Sequence, residues 1–422
     1  MAELKFDKKT GRLMFTKQMK REGYTILMPN MAPIHFRILA CVFRSFGYNC
    51  ELLETTGPEI AQTGLKYVHN DTCYPALLVI GQLMNAINSG RYDKDKLALL
   101  ITQTGGGCRA SNYIYLLRKA LKKAGYGHIP VISLNFGGLE HHPGFKISVP
   151  MLYKMLYCAF YGDLMMLMAN QCRPYEKNPG ETDALVRQWT ERLLEENRDP
   201  RNMRYKHVKE NYRLMADDFA AILGDTVRDK VKVGIVGEIY VKFSPLGNNN
   251  LESFLLSEGV EPVVPGFVDF CLYCVYNGIV DFDLYHIRHL KAFGSKFLYK
   301  YLLKKLRYIR TMMQEHYPNF MPMADFDETR KKIDGYIGIG AKMGEGWLLT
   351  AEMLELVGEG VNNIICTQPF GCLPNHIAGK GMMKPIKEKN PGVNIVAIDY
   401  DPGATAINQE NRIKLMLSNA KA

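Results

Sequence analysis

Three cysteines of this sequence stand in the same kind of local setting. Cys73 comes directly before an apolar helical repeat, Cys108 follows three consecutive glycines, and Cys372 follows a branched apolar run. Each therefore occupies a loop that leads into a predicted helix. For Cys73, the free amide groups and positive dipole at the helix start favour a thiolate over a thiol. Thiolates are the ligands that zinc, copper(I) and iron–sulfur clusters prefer, so this pattern predicts a soft-metal centre.

The spacing of these cysteines favours an iron–sulfur cluster over structural zinc. A structural zinc site typically has a close pair such as C-x2-C and a second pair further along the chain. Here Cys73 and Cys108 are 35 residues apart and Cys108 and Cys372 are 264 apart, so distant parts of the chain must assemble the site. The alternative is that each thiol is a small buried hydrophobe, which is the usual role of a single cysteine.

Eight short apolar runs, rich in branched residues, alternate with helical patterns, which is typical of α/β units on a parallel sheet. In such folds, ligands bind at the carboxyl ends of the strands. We therefore predict an α/β fold of two doubly wound domains, residues 1–230 and 231–422, facing each other across a cleft. A helical connector is expected within 174–230, and a helical insertion at about 281–330. The predicted strands are Tyr24–Met28, Cys50–Leu53, Leu97–Thr102, Pro130–Asn135, Val231–Val236, Glu261–Val264, Val361–Thr367 and Asn394–Asp399.

Composition and charge restrict the class of protein. Apolar residues make up 47% of the chain and charged residues 23%, which is the balance of a globular protein with a substantial core. The most membrane-like window, 151–169, is interrupted by Lys154 and Asp163, so we expect a buried helix or a subunit interface there. We expect no membrane span, no membrane as a partner and a cytoplasmic location. Cytosolic thiols stay reduced, and no disulfides are expected. The net charge of +10 comes without a nucleic-acid recognition motif, so no nucleic acid is expected as a partner.

Other residues are candidates for supporting roles. Glu238 ends a predicted strand and is a candidate proton donor facing the cleft, and His376 lies four residues after Cys372 as a candidate general acid or ligand. The adjacent pair His141 and His142 is expected in a solvated turn. The glycine-rich segment 335–347 lacks the G-x4-G-K-[S/T] spacing of a phosphate-binding loop, so the chain is not expected to bind a nucleotide itself.

Six segments of the sequence are distinctive: NDTCYPALLVIGQLM, TQTGGGCRASNY, VISLNFGGLE, GEGWLLTAEM, QPFGCLPNHIAGKGM and IVAIDYDPGA. Together they resemble the acyl-CoA dehydratase activase-related family. Its relatives are the 2-hydroxyacyl-CoA dehydratase subunits and the double-cubane cluster proteins, and the resemblance extends from about residue 24 to 417.

This resemblance implies two flavodoxin-like domains with an oxygen-sensitive iron–sulfur cluster in the cleft between them. It also implies a partner, an ATP-hydrolysing activator with its own [4Fe–4S] cluster, which delivers low-potential electrons. The double-cubane relatives hold an [8Fe–9S] assembly and reduce small molecules, whereas the dehydratase relatives perform radical dehydration of a 2-hydroxyacyl-CoA. We expect the first activity and a homodimer, and keep the second activity and a non-catalytic electron carrier as alternatives.

By motif, Cys73, Cys108 and Cys372 match the cluster-ligand positions of the family. Cys274 and Cys366 are further candidate ligands, and Cys271 is the sixth thiol that a double cubane would need. The C-x2-C pair formed by Cys271 and Cys274 is open to core packing as well as to cluster ligation. A single [4Fe–4S] cluster on three cysteines would leave one iron open. The remaining cysteines, Cys41, Cys50, Cys158 and Cys172, are expected to be buried.

Overall fold

The structure, a computed structural model, describes residues 2–69, 71–103, 107–135, 140–199 and 204–420 and contains two four-stranded parallel sheets. The strand orders are β2-β1-β3-β4 and β6-β5-β7-β8, which is how a flavodoxin-like sheet begins. The predicted α/β class is confirmed, and all eight predicted strands are present with ends shifted by no more than two residues. The strands are β1 Thr25–Pro29, β2 Asn49–Leu53, β3 Leu97–Gln103, β4 Val131–Asn135, β5 Lys232–Gly237, β6 Glu261–Val263, β7 Asn363–Pro369 and β8 Asn394–Tyr400.

Helices connect the strands, as the alternating sequence pattern requires, and a long helical stretch separates β6 from β7. In the first half of the chain the helices are α1 Lys17–Arg21, α2 Pro33–Ser45, α3 Pro58–Tyr67, α4 Tyr74–Asn88, α5 Tyr113–Lys123, α6 Val149–Cys172, α7 Glu181–Glu196 and α8 Tyr205–Leu223. In the second half they are α9 Ile239–Phe243, α10 Pro245–Asn248, α11 Leu251–Ser257, α12 Phe267–Tyr285, α13 His289–His316, α14 Phe326–Lys331, α15 Trp347–Gly358, α16 Met383–Lys389 and α17 Ala406–Ala420.

Helix α6 is the buried helix that the sequence predicted for the membrane-like window. Most of its side chains from Tyr157 to Cys172 are buried, and it packs against α2 and α8 from the first half and against β6 and α12 from the second. The two charges in this window are both paired: Lys154 donates to the carbonyl of Asn197, and Asp163 accepts several hydrogen bonds. None of the described helices combines the length and apolar character needed to cross a bilayer.

The carboxylate of Asp163 links three helices. It lies 2.8 Å from Nε2 of His35 on α2 and accepts hydrogen bonds of 2.7 Å from the backbone N–H groups of Phe267 and Val268, at the start of α12. These N–H groups have no partner within their own helix, and the positive end of the helix dipole favours an anion beside them. A single buried side chain thus fixes the first half of the chain to the helix that carries Cys271 and Cys274.

Helix α13 and the end of α12 lie within about 281–330, where the helical insertion is expected. One expectation differs from the structure. His142 is buried instead of solvated, since its Nδ1 accepts a hydrogen bond of 3.0 Å from the N–H of Phe15, a residue far away in the chain. The described cysteines are all free, and of the four expected to be buried only Cys41 is partly exposed.

Replacing Asp163 with Ala is expected to destabilise the protein by ~3 kcal/mol or more. The substitution leaves the His35 ring and two backbone N–H groups buried without an acceptor, which costs more than the loss of a surface pair. Asp183→Ala is the matched control, because it removes an exposed carboxylate paired with Arg173 and should change the free energy of unfolding by less than about 1 kcal/mol. Urea denaturation measures the free energy of unfolding of both variants. If both variants lose the same small amount of stability, the linking role of Asp163 is contradicted.

Candidate functional site

Cys73 lies at the N-terminus of α4, where the chain of the first half meets that of the second. Pro75 occupies the first turn of the helix, so Cys73 takes the extended capping position directly before it. Its Sγ lies 2.9 Å from the hydroxyl of Tyr113 on α5. The N–H of the next residue, Tyr74, donates a 3.0 Å hydrogen bond to the carbonyl of Phe370, two residues before Cys372. The loops that carry Cys73 and Cys372 are therefore joined through their backbones.

Cys108 follows β3 and begins a short 3₁₀ turn, Arg109–Asn112. Its Sγ accepts a 3.4 Å hydrogen bond from the N–H of Ala110, and the thiol is partly exposed, whereas Cys73 and Cys372 are buried. Two of the three glycines before Cys108, Gly105 and Gly106, lie outside the described residues. Gly107 is described, and its N–H lies 3.3 Å from the sulfur of Met343 in the second half.

Two glycines show how closely the three cysteine loops approach one another. Gly344 has φ +57°, and a Cβ added there would lie 3.5 Å from the Sγ of Cys108 and 3.0 Å from the ring of Pro374. Gly371 has φ +73°, and its added Cβ would lie 3.1 Å from the Cα of Cys73. Both positions have a left-handed backbone that favours glycine, and an added Cβ would press closely on its neighbours. The structure thus brings Cys73, Cys108 and Cys372 together at the carboxyl ends of β3 and β7; we call these residues the thiol cluster.

Two buried carboxylates stand beside the thiol cluster. Glu238 follows β5 and accepts a 2.9 Å hydrogen bond from the N–H of Val241, while Glu345 accepts one of 3.2 Å from the N–H of Ile239. Burial, and then the proximity of Glu345, raise the pKa of Glu238 to about 8, and burial also raises the pKa of Glu345. The proximity of buried Lys242, 2.8 Å from Glu352, opposes both shifts.

Burial and these carboxylates keep the thiols protonated. Burial raises the pKa of Cys73 to about 11 and that of Cys108 to about 12, and it raises the pKa of Cys372 well above the ordinary value. Negative charge on Glu345 raises the pKa of Cys108 and of Cys372 further. The thiolate that the helix start was expected to favour at Cys73 is therefore not favoured, because burial outweighs the dipole, and these thiols ionise only with a bound cation. Metal binding at such thiols releases protons and becomes tighter as the pH rises.

The structure brings only some of the other predicted residues near the thiol cluster. Cys274 on α12 is partly exposed. Burial, and then the nearby carboxylate of Glu345, raise the pKa of Cys274 to about 12, so this thiol faces the same acid as the thiol cluster does. Burial also raises the pKa of Cys271, but the carboxylates that raise it further are Asp163 and Asp269, and not Glu345.

Cys366 and His376 flank Cys372 in the chain, and the backbone N–H of His376 donates a 3.2 Å hydrogen bond to the carbonyl of Cys372. Cys366 is fully buried within β7, where its thiol donates to the side-chain oxygen of Asn375 at 3.3 Å. His376 is exposed in the turn Asn375–Gly379. Glu345 is the site residue that sequence reasoning did not name as a candidate. Its position between two glycines directly before α15 was the available signal.

The donor set of the thiol cluster is compatible with a polynuclear iron–sulfur centre. Its thiols are soft donors, largely shielded from water, and they come from loops beside both sheets. Across the residues that the structure describes, no three His, Cys, Asp or Glu side chains are grouped closely enough to hold a single metal ion.

Comparisons with known proteins add no family assignment. Neither the family models nor the curated proteins gave a match to this chain. The family resemblance of the six sequence segments therefore stays a prediction, and the geometry of the thiol cluster is the basis for a function.

Replacing Glu345 with Gln is expected to make Cys108 react faster with iodoacetamide at pH 9. Removing this negative charge favours the thiolate, so the pKa of Cys108 falls from about 12 and more of the reactive form is present. Glu388→Gln, at an exposed position on α16, is the control and should leave the rate unchanged. Mass spectrometry of the labelled peptide gives the rate, and equal rates in the two variants would mean that Glu345 does not act on the thiol cluster.

Proposed function

We propose that this chain is the iron–sulfur component of a reductase, which receives low-potential electrons from an ATP-hydrolysing activator protein and reduces a small molecule. The observation that carries the proposal is the meeting of Cys73, Cys108 and Cys372, from loops of both halves, beside the buried acids Glu238 and Glu345. The activator is implied by the family resemblance of the motifs around these cysteines.

In this proposal Cys73, Cys108 and Cys372 hold the cluster, and Cys274, whose pKa is also raised by Glu345, is a further candidate ligand. A cluster bound there supplies reversible one-electron chemistry at low potential. The buried positions of Cys73 and Cys372 keep water from the inner side of the site, and the partly exposed Cys108 marks the side that a substrate or a donor protein can approach. At Gly344 and Gly371 the flanking loops pack so closely that a side chain would disturb this arrangement.

Glu238 favours reduction of a substrate over simple electron carrying. With a pKa raised to about 8, its carboxyl group holds a proton at neutral pH. Reductions of small molecules consume protons together with electrons, and a buried carboxylic acid beside the electron source is suited to donate one. An electron carrier has no need for such a group. The Val241 and Ile239 N–H groups hold the two acids in place.

Iron and acid-labile sulfide, measured after anaerobic reconstitution, test the ligand assignment. We expect Cys108→Ser to lose most of the bound iron, since an alkoxide is a poor substitute for a soft thiolate. Cys158→Ala should bind as much iron and sulfide as the unchanged chain, because this thiol is buried in α6 among apolar residues. Circular dichroism confirms that both variants are folded. If Cys108→Ser binds as much iron as the unchanged chain, the thiol cluster is not the binding site.

Reduction by the activator tests the electron-acceptor role separately. The reconstituted protein is mixed under anaerobic conditions with the activator and ATP, and low-temperature EPR follows its cluster. We expect a new reduced signal with ATP and none with a non-hydrolysable analogue, because ATP hydrolysis provides the driving force for low-potential transfer. An activator that proves active with another acceptor but leaves this spectrum unchanged would contradict the proposed function.

A further inference from the structure

Helix α13 carries an apolar face that nothing in the described chain covers. Leu290 is 90% exposed, Phe293 is 77% exposed and Phe297 is 75% exposed, and their spacing places them on one side of the helix. The opposite side is anchored in the protein through buried Ala292 and Tyr299. We call the three exposed residues the α13 stripe. Its side chains point away from the body of the protein along about two helical turns.

The turn between α12 and α13 extends this apolar surface. Leu284, Tyr285 and Ile287 are each about half exposed. A covered aromatic side chain buries roughly 150–250 Å², so the stripe and this turn together amount to several hundred Å². Apolar patches of that size on a single chain mark a contact surface.

Basic residues lie beside the stripe. From residue 284 to residue 314 the sequence has eight Lys and Arg and no Asp or Glu. The ion pairs of this stretch are Arg288 with Asp281 and Arg307 with Asp325 and Asp327, all formed by arginines. Among the described residues no carboxylate pairs with Lys291, Lys296 or Lys300. On the helix, Lys296 and Lys300 lie next to the stripe on one side, whereas Lys291 lies further round, close to Gly278 on α12.

We propose that the α13 stripe and the adjoining turn bind the surface of an anionic lipid bilayer. A helix with Phe and Leu on one face and Lys beside it lies in the plane of a membrane interface, with the apolar side chains among the acyl chains and the ammonium groups at the phosphates. The lysines favour a bilayer over a second copy of this chain as the partner of the stripe. A second copy would bring the same lysines against one another, whereas anionic headgroups would neutralise their charges. Lysine is also depleted in protein interfaces. This surface is independent of the thiol cluster and of the proposed reduction.

Flotation with lipid vesicles tests the proposal on the full chain. The probes are vesicles of phosphatidylcholine alone and of phosphatidylcholine with ~30% phosphatidylglycerol. We expect the protein to float with the anionic vesicles only, and to be released as the salt rises from about 0.05 M to about 0.5 M, because salt screens the lysines. Phe293→Ser combined with Phe297→Ser should weaken binding about tenfold or more, since it removes the two largest side chains that insert.

Two further variants make the result specific. Leu415→Ser is the matched control, because Leu415 is also largely exposed but lies on α17. It should bind like the unchanged chain. Phe293→Trp should shift its fluorescence to shorter wavelength on anionic vesicles, and the natural Trp189 and Trp347 are buried, so residue 293 is the reporter. These positions are exposed, and thermal melting of each variant should be unchanged.

Three outcomes would overturn the proposal. One is a protein that does not float with anionic vesicles at low salt. Another is flotation that the paired serine substitutions do not reduce. The third is a dimer in light scattering that these same substitutions convert to a monomer, which would show that a second copy of the chain covers the stripe.

Discussion

The buried carboxylate of Asp163 is the interaction on which the arrangement of the two halves depends. It stands on α6, faces His35 from the first half and caps α12 from the second. Helix α12 in turn carries Tyr273, whose hydroxyl lies where a Cβ at Gly346 would clash, beside Glu345. The position of the acids next to the thiol cluster is therefore connected through α12 to a side chain in a different part of the fold.

The thiol cluster concentrates groups that are stable there only when neutral or when a cation is present. Three thiols and two carboxylic acids share a region in which Lys242 opposes the pKa shifts of both acids. Without a bound cation, burial keeps the thiols protonated. The same burial raises the pKa of Glu238 to about 8, so its carboxyl group is mostly protonated at neutral pH.

Local sequence predicted the strands and the loops of the site well, because both follow from short-range rules. Branched apolar runs form buried strands, and Pro75 directly after Tyr74 starts a helix and leaves Cys73 as its cap. The same short-range rules could not predict contacts between residues that are far apart in the sequence. His142 is buried because Phe15, from the N-terminal segment, donates to its ring. Glu345 reaches the site because its loop packs on that of Cys108, a contact between residues more than two hundred positions apart.

Iron K-edge X-ray absorption spectroscopy of the anaerobically reconstituted protein tests the central claim most directly, since it reads the atoms around the metal. The account predicts that the iron is surrounded by sulfur and that a second iron lies at bonding range, which together indicate a cluster held by thiolates. Iron surrounded only by oxygen and nitrogen, or iron that a desalting column removes, would contradict a cluster shared by Cys73, Cys108 and Cys372.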